Sequence, residues 1–195
     1  MSLELQVMDY VKKALKGMEP HGFEHTMRVY KLTMKLAQAY QGKVDLEVLK
    51  LAALLHDIGR PLEETVKEHH AIISSRIARE VLREYGARDE IIERIVEAII
   101  SHSYSLKIRP RTLEAMILSD ADKLDAMGAI GIARCFMESG KRGRSLEESL
   151  KHFYEKLLRL KDMMYTEEAK SLAEKRHKFM VEFLKQLREE IEALS

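Results

Sequence analysis

Tryptophan is absent from the 195 residues, cysteine occurs once, and proline and glycine number only three and nine. Each scarcity closes off an architecture. A single thiol, Cys135, permits no intramolecular disulfide, which argues against a secreted disulfide scaffold and for a cytoplasmic chain. Few glycines and prolines leave little punctuation for a sandwich or barrel of short strands, so helices with short connections are expected. No apolar run approaches the roughly 20 residues that cross a bilayer. The N-terminus, with Glu4 and Asp9, lacks the cationic and then apolar pattern of a signal peptide. No glycine-rich loop of the P-loop kind is present, which disfavours ATP-driven chemistry. The charges nearly cancel at +1, so bulk electrostatics argue against nucleic acid and membrane partners.

What is present is helix signal. Hydrophobic residues make up 46% and charged residues 33%, the balance of a globular protein, and the length suits one domain spanning 1–195. Apolar residues recur at helical spacing over 3–18, 25–40, 46–57, 69–85, 90–102, 112–127 and 130–138. A capping box at Ser145 and Glu148 opens a further helix to about residue 162, and Thr166 caps a last one through Leu194. Asp45 and Asp89 stand where N-caps are expected, and Gly59 fits a helix C-terminal stop. Gly128 and Gly131 are expected to loosen the backbone. The last helix aligns Leu172, Phe179, Phe183, Leu187 and Ile191, which pack inward or onto a second copy, so a homodimer is one assembly it allows. With no repeat and no convincing strand, the fold class is all-α.

The chain is organised around Leu51-Ala52-Ala53-Leu54-Leu55-His56-Asp57-Ile58-Gly59. A helix apolar on every side is a buried one, and this one runs into a histidine and an aspartate. A buried carboxylate needs a paired charge or a metal. Of the eight histidines, His25, His56 and His102 fall on apolar helical faces. One such histidine alone reads as a hydrogen-bonded core residue, and His152 and His177, among lysines and glutamates, read as surface side chains. Convergence changes the reading. Two histidines, a His-Asp pair and a later aspartate make a mixed nitrogen and oxygen set that suits a divalent transition metal. The later aspartate lies in Ser119-Asp120-Ala121-Asp122-Lys123-Leu124-Asp125. On a helix Asp120 and Asp122 point about 200° apart. Both faces are apolar, and periodicity does not choose between them.

In chain order, His25-Thr26-Met27-Arg28-Val29, His56-Asp57-Ile58-Gly59 and Ala121-Asp122-Lys123-Leu124 resemble the motifs of the HD-domain metal-dependent phosphohydrolases. The run from Asp120 to Arg134 is similar to that of the small stand-alone bacterial and archaeal members. The resemblance covers about 20–134 and implies a helical bundle of about five core helices around a metal site, with the helices of 145–195 packed on it. It implies that His25, His56, Asp57 and Asp122 bind one divalent ion (Fe, Mn, Mg, Co, Ni or Zn). It selects Asp122 over Asp120 and leaves Asp120 as a hydrogen-bonding neighbour. Two-metal members carry extra histidines between the His-Asp pair and the last aspartate, and His70 and His102 stand at such positions. A second ion is therefore allowed, although one ion with His70 and His102 on substrate phosphate is the preferred version.

The implied chemistry is hydrolysis of a small phosphorylated compound, a nucleotide or another phosphomonoester, by a metal-activated water. Asp57, Arg28 and Lys123 are the expected catalytic groups, with Arg28, Arg60, His70, His102 and Lys123 expected to bind substrate through charge-assisted hydrogen bonds. Arg28 lies one turn beyond His25, Arg60 follows Gly59, and Lys123 adjoins Asp122. Lys141-Arg142-Gly143-Arg144 could grip a phosphate or a nucleic acid and Glu63-Glu64 could act as acid or base near the metal, but solvated loops are the preferred reading of both. Two other functions remain open: a di-iron oxygenase completed by His70 and His102, and a metal-stabilised binding module without turnover.

Overall fold

Leu51, Leu54 and Leu55 are buried to within 1% of complete, and the helix that carries them is the axis of the first part of the structure. In the computed structural model, residues 1–193 are described, and they form α-helices and short 3-10 turns with no strand among them. The chain divides into two compact units, Met1–Asp122 and the described part of Lys123–Ser195. The family core expected over 20–134 therefore crosses the boundary. Among the described residues no helix is long and apolar enough to cross a membrane.

The first unit holds α1 (Leu3–Ala14), α2 (Phe23–Ala37), α3 (Leu46–Leu55), α4 (Glu63–Val66), α5 (His70–Glu84) and α6 (Asp89–His102). Most of α7 (Leu113–Asp125) belongs to it as well. Asp45 caps α3 as expected, its carboxylate accepting from the amides of Glu47 and Val48. Seven of the ten residues of α3 are buried, and the helix touches α1, α2, α5 and α6. Truncating any of its four fully covered leucines, Leu49, Leu51, Leu54 and Leu55, to alanine would cost about 2–5 kcal/mol. The helix ends at Leu55, two residues earlier than its periodicity implied, so His56 and Asp57 lie just beyond its last turn. Asp89 opens α6 but makes no cap; Arg88 holds the cap position without a side-chain bond.

The second unit holds α8 (Gly128–Lys141), α9 (Leu146–Glu155), a 3-10 segment (Leu157–Met163) and α10 (Glu167–Glu192). The Ser145–Glu148 capping box is present, whereas the Thr166 side chain makes no capping bond. Gly128 and Gly131 do not loosen this region. They begin α8, and a Cβ on Gly131 would collide with the Ala126 carbonyl, so glycine here permits close packing. The expected basic loop is partly helix, with Arg142 paired to Glu138. On α10 the buried face is Ala169, Ala173, Met180 and Leu184, one residue away from the expected stripe, and Phe179 is exposed. Phe136 lies between Phe153 and Phe183, with ring centroids 5.8 and 6.1 Å away. His152 and His177 are half-buried, not solvated as expected. Leu194, expected to end α10, lies outside the described residues.

Candidate metal centre

Four helices of the first unit deliver imidazoles to one carboxylate. His25 comes from the first turn of α2, His56 follows α3, His70 is the first residue of α5, and His102 is the last of α6. All four are buried, as is Asp57. Helix α5 reaches the corner because Gly59 lets it. The Gly59 amide donates to Ser74 Oγ at 2.9 Å, and a Cβ on Gly59 would stand 2.6 Å from the Ser74 nitrogen and 2.7 Å from the His70 carbonyl oxygen. Its φ is −83°, so Gly59 is needed for this close approach and not for a left-handed helix stop. Helix α7 is placed by Glu114, which accepts from Arg94 and from the Asp45 amide, both at 2.9 Å. Ser119 donates to the His102 carbonyl at 3.0 Å, which sets Asp122 one turn further on.

The two oxygens of Asp57 face different partners. Oδ2 lies 3.5 Å from His25 Nε2 and 3.9 Å from His56 Nε2, while Oδ1 lies 3.3 Å from His70 Nε2 and 3.7 Å from His102 Nε2. Asp122 Oδ1 joins the first side, 3.5 Å from His25 Nε2 and 4.0 Å from His56 Nε2. His25 and His56 approach each other at 3.3 Å through their Nε2 atoms. Three of the rings are oriented from behind. His56 Nδ1 is 2.8 Å from the Ala53 carbonyl, His102 Nδ1 meets the Ile99 carbonyl, and His70 Nδ1 is 3.2 Å from Glu63 Oε1. Each of those acceptors requires an N–H on Nδ1, so a neutral ring, as at His56 and His70, turns an Nε2 lone pair to the carboxylates.

Electrostatics agree with that tautomer. Burial pushes His56 and His70 down to about 4, so both imidazoles are neutral at neutral pH. Burial alone would raise Asp57, but the Arg60 guanidinium and the surrounding imidazoles hold it well below the usual carboxylate range. Asp122 is likewise held low by the histidines against its burial. The result is two anionic carboxylates beside the neutral imidazoles of His56 and His70. Asp57 Oδ1 and His70 Nε2 are buried without hydrogen-bond partners, which is the condition expected of groups that ligate a cation. The donor set therefore fits a divalent metal. Of the groups spaced closely enough for an ion, His25, His56 and Asp122 form one, and His56, Asp57 and His102 another.

Other expected residues take different places. Asp120 is fully buried and belongs to none of these donor groups among the described residues. Arg60 directs Nε to Asp57 Oδ2 at 3.0 Å and Nη1 to Glu63 Oε2 at 3.1 Å, so two of its donors hold carboxylates instead of awaiting a phosphate. Arg28 is half-buried on α2. Lys123, in the second unit, is nearly covered, and its ammonium stands 4.9 Å over the Tyr165 ring. Sequence reasoning missed two residues. Glu63, assigned to a solvated loop, forms α4 and holds both His70 and Arg60. His21, in the turn before α2, has Nδ1 3.9 Å from Asp57 Oδ2; its only signal was proximity to His25.

The HD domain family matches residues 22–127, more than half of the chain. The chain belongs to the HD-domain family. It is 38% identical to the Bacillus subtilis protein YpgQ over 180 residues, 88% of this chain and 84% of that one. The crystal structure of YpgQ in complex with ADP superposes with a TM-score of 0.79 and 33% identity, covering 96% of this chain and 94% of that one. An HD-superfamily hydrolase from Bacillus thuringiensis does so with a TM-score of 0.75 and 33% identity over 97% of both. Ribonuclease Y of Acidothermus cellulolyticus is 32% identical over 120 residues, 62% of this chain but 20% of that enzyme. In this HD domain the matched segment contains His25, His56, Asp57, His70, His102 and Asp122, while His21 lies one residue outside it.

Proposed function

We propose that the chain is a metal-dependent phosphohydrolase that cleaves a phosphate ester of a small molecule, a nucleotide or another phosphomonoester. One observation carries the reading: a single buried aspartate offers each of its oxygens to a separate pair of imidazole Nε2 atoms. Kinship with HD-superfamily hydrolases supports hydrolysis, and the ADP complex of YpgQ supports a nucleotide.

His25, His56, Asp57 and Asp122 would hold one divalent ion, and Asp57, His70 and His102 offer donors for a second. When bound, such an ion supplies Lewis acidity to a phosphoryl oxygen and lowers the pKa of a water. The chain's own groups do the rest. Arg60 and Glu63 fix the orientation of Asp57 and His70. His21, Arg60, Glu63 and Asp122 are the partly exposed members, with 31, 26, 34 and 28% of their side chains open, so substrate phosphate enters from their side. His21 and Arg28 are the basic side chains nearest in sequence to His25 and would receive the phosphate there, with Lys123 next to Asp122.

The test is phosphate release from a nucleotide and phosphomonoester panel with Mn, Co, Mg, Fe, Ni or Zn added to the apoprotein. Turnover of at least one compound, abolished by Asp57→Asn with the helical circular dichroism unchanged, is the expected result. No turnover with any of the six metals would overturn the reading. The paired histidines on Asp57 Oδ1 also favour a two-ion site, which a di-iron oxygenase would share. Two irons per chain with dioxygen consumption would select that alternative.

A further inference from the structure

The dipeptide His69-His70 places two imidazoles side by side at the start of α5, and only His70 faces Asp57. The two rings are 4.2 Å apart, tilted by 34°. With Glu63 they form a compact group of three possible metal donors. The hydrogen bonds speak against His69 as a ligand. Its Nδ1 accepts from the Ala71 amide at 3.1 Å, capping α5. That bond needs a lone pair on Nδ1, so the proton sits on Nε2. Nε2 then donates to Ser105 Oγ at 2.7 Å, with Ser103 Oγ a further 3.4 Å neighbour, and the two serine hydroxyls are 3.1 Å apart. Neither ring nitrogen is left for an ion.

Ser103 follows His102 directly in the chain, and Ser105 comes two residues later. The imidazole of His69 thus joins the first turn of α5 to the segment leaving α6, and α5 begins, and α6 ends, with a histidine whose Nε2 lies near Asp57 Oδ1. We propose that His69 is a positioning residue: it clamps the start of α5 to the 103–105 turn and so keeps His70 and His102 together beside Asp57 Oδ1, at 3.3 and 3.7 Å. This rests on the reading that His70 and His102 hold an ion. A ring locked from two sides fixes the separation of the segments more tightly than a cap alone, because one rigid imidazole presents a lone pair to one segment and an N–H to the other, where a serine or asparagine cap reaches only its own helix.

The experiment uses the full chain with three variants. Ser105→Ala removes only the bridge, His69→Asn keeps a cap acceptor but loses the bridge, and His69→Ala loses both. Amide exchange on the metal-free protein reads the clamp itself. Faster exchange over 103–106 in Ser105→Ala and His69→Asn is expected, and unchanged exchange in both would overturn the proposal. Mn2+ titration by calorimetry reads the consequence. The ion whose binding His70→Ala removes should bind about 10–100-fold more weakly in Ser105→Ala and His69→Asn, with the other ion unaffected. Equal loss at both ions would mean a general structural effect and would overturn the positioning role. If His70→Ala removes no ion from the wild-type complement, the two-ion reading fails, while the exchange result still decides the clamp. Imidazole nitrogen shifts provide a further check, since an Nδ1–H tautomer at His69 would contradict the bond to Ala71.

Discussion

Asp57 Oδ1 and His70 Nε2 stand 3.3 Å apart, both buried, and neither has a hydrogen-bond partner. Two lone pairs facing each other in a poorly solvated corner repel unless a proton or a cation lies between them. A proton on His70 is disfavoured, since burial holds its pKa down to about 4. A cation resolves the conflict, and its binding should be visible as stability. A ligand at about 100 times its Kd stabilises the native state by about 2.7 kcal/mol. For a chain of this size that raises Tm by about 5–10 °C. Thermal melts with and without Mn2+ should show the rise, chelator should reverse it, and Asp57→Asn should abolish it. A Tm indifferent to every divalent metal would count against the centre.

Glu63→Gln removes the anionic acceptor behind His70 Nδ1 and one of the two carboxylates on Arg60. A carboxylate behind a ligating histidine fixes its tautomer and raises its basicity, and losing it costs about 10–100-fold in metal affinity. The Glu63 carboxylate is one-third exposed, so the fold should survive the change with little loss of stability. Calorimetric titration of the variant should show weaker metal binding with a normal urea midpoint. An unchanged affinity would place His70 outside the metal's reach.

Acid should destabilise the metal-free protein well before its carboxylates titrate. His56 and His70 have folded pKa values near 4, lowered from 6.5 chiefly by burial. In the unfolded chain they take up protons around 6.5, so between 6.5 and about 4 the unfolded state binds more protons than the folded one. Stability is then full above that window, falls as pH drops through it, and is lost from these two groups below it, by on the order of a few kcal/mol each. Urea midpoints measured from about pH 7 to about pH 5 should fall steadily. A flat or rising profile would mean that these imidazoles are not buried neutral.

How far the sequence revealed this site depended on whether a residue's role was local. The apolar run of α3 announced that His56 and Asp57 are buried, and helical spacing put His25 on a covered face. Asp122 and Asp120 were indistinguishable by periodicity because α7 is covered on both faces; only the family resemblance chose, and the geometry then sets Asp122 against His25. Glu63 was illegible because its role comes from α4 folding back beneath α5, seven residues of chain away. His21 sits in a turn, where no period marks a face. On α10 the large residues misled: Ala169 and Ala173 carry the buried face, and small side chains weigh little in a hydrophobic stripe.

Gly59 gives the sharpest test of how the centre is assembled. A glycine serving only as a left-handed helix stop would lose little more than backbone strain on change to alanine, yet the φ of −83° at Gly59 suits any residue. The constraint is instead the contact with α5, where a methyl group would stand 2.6 Å from the Ser74 nitrogen, 2.7 Å from the His70 carbonyl and 2.8 Å from Ile73 Cβ. Two of those atoms are backbone and cannot rotate away, so α5 must shift outward and the Gly59 to Ser74 hydrogen bond must lengthen. Overpacking of this kind costs about 1–3 kcal/mol, and because His70 is the first residue of α5, the shift also draws its ring from Asp57. Gly59→Ala should therefore lower the urea midpoint and weaken metal binding together, whereas Ser74→Ala, which removes the hydrogen bond without adding bulk, should lose about 1 kcal/mol and keep its metal. Wild-type stability and metal affinity in Gly59→Ala would show that α5 does not depend on this contact for its place beside Asp57.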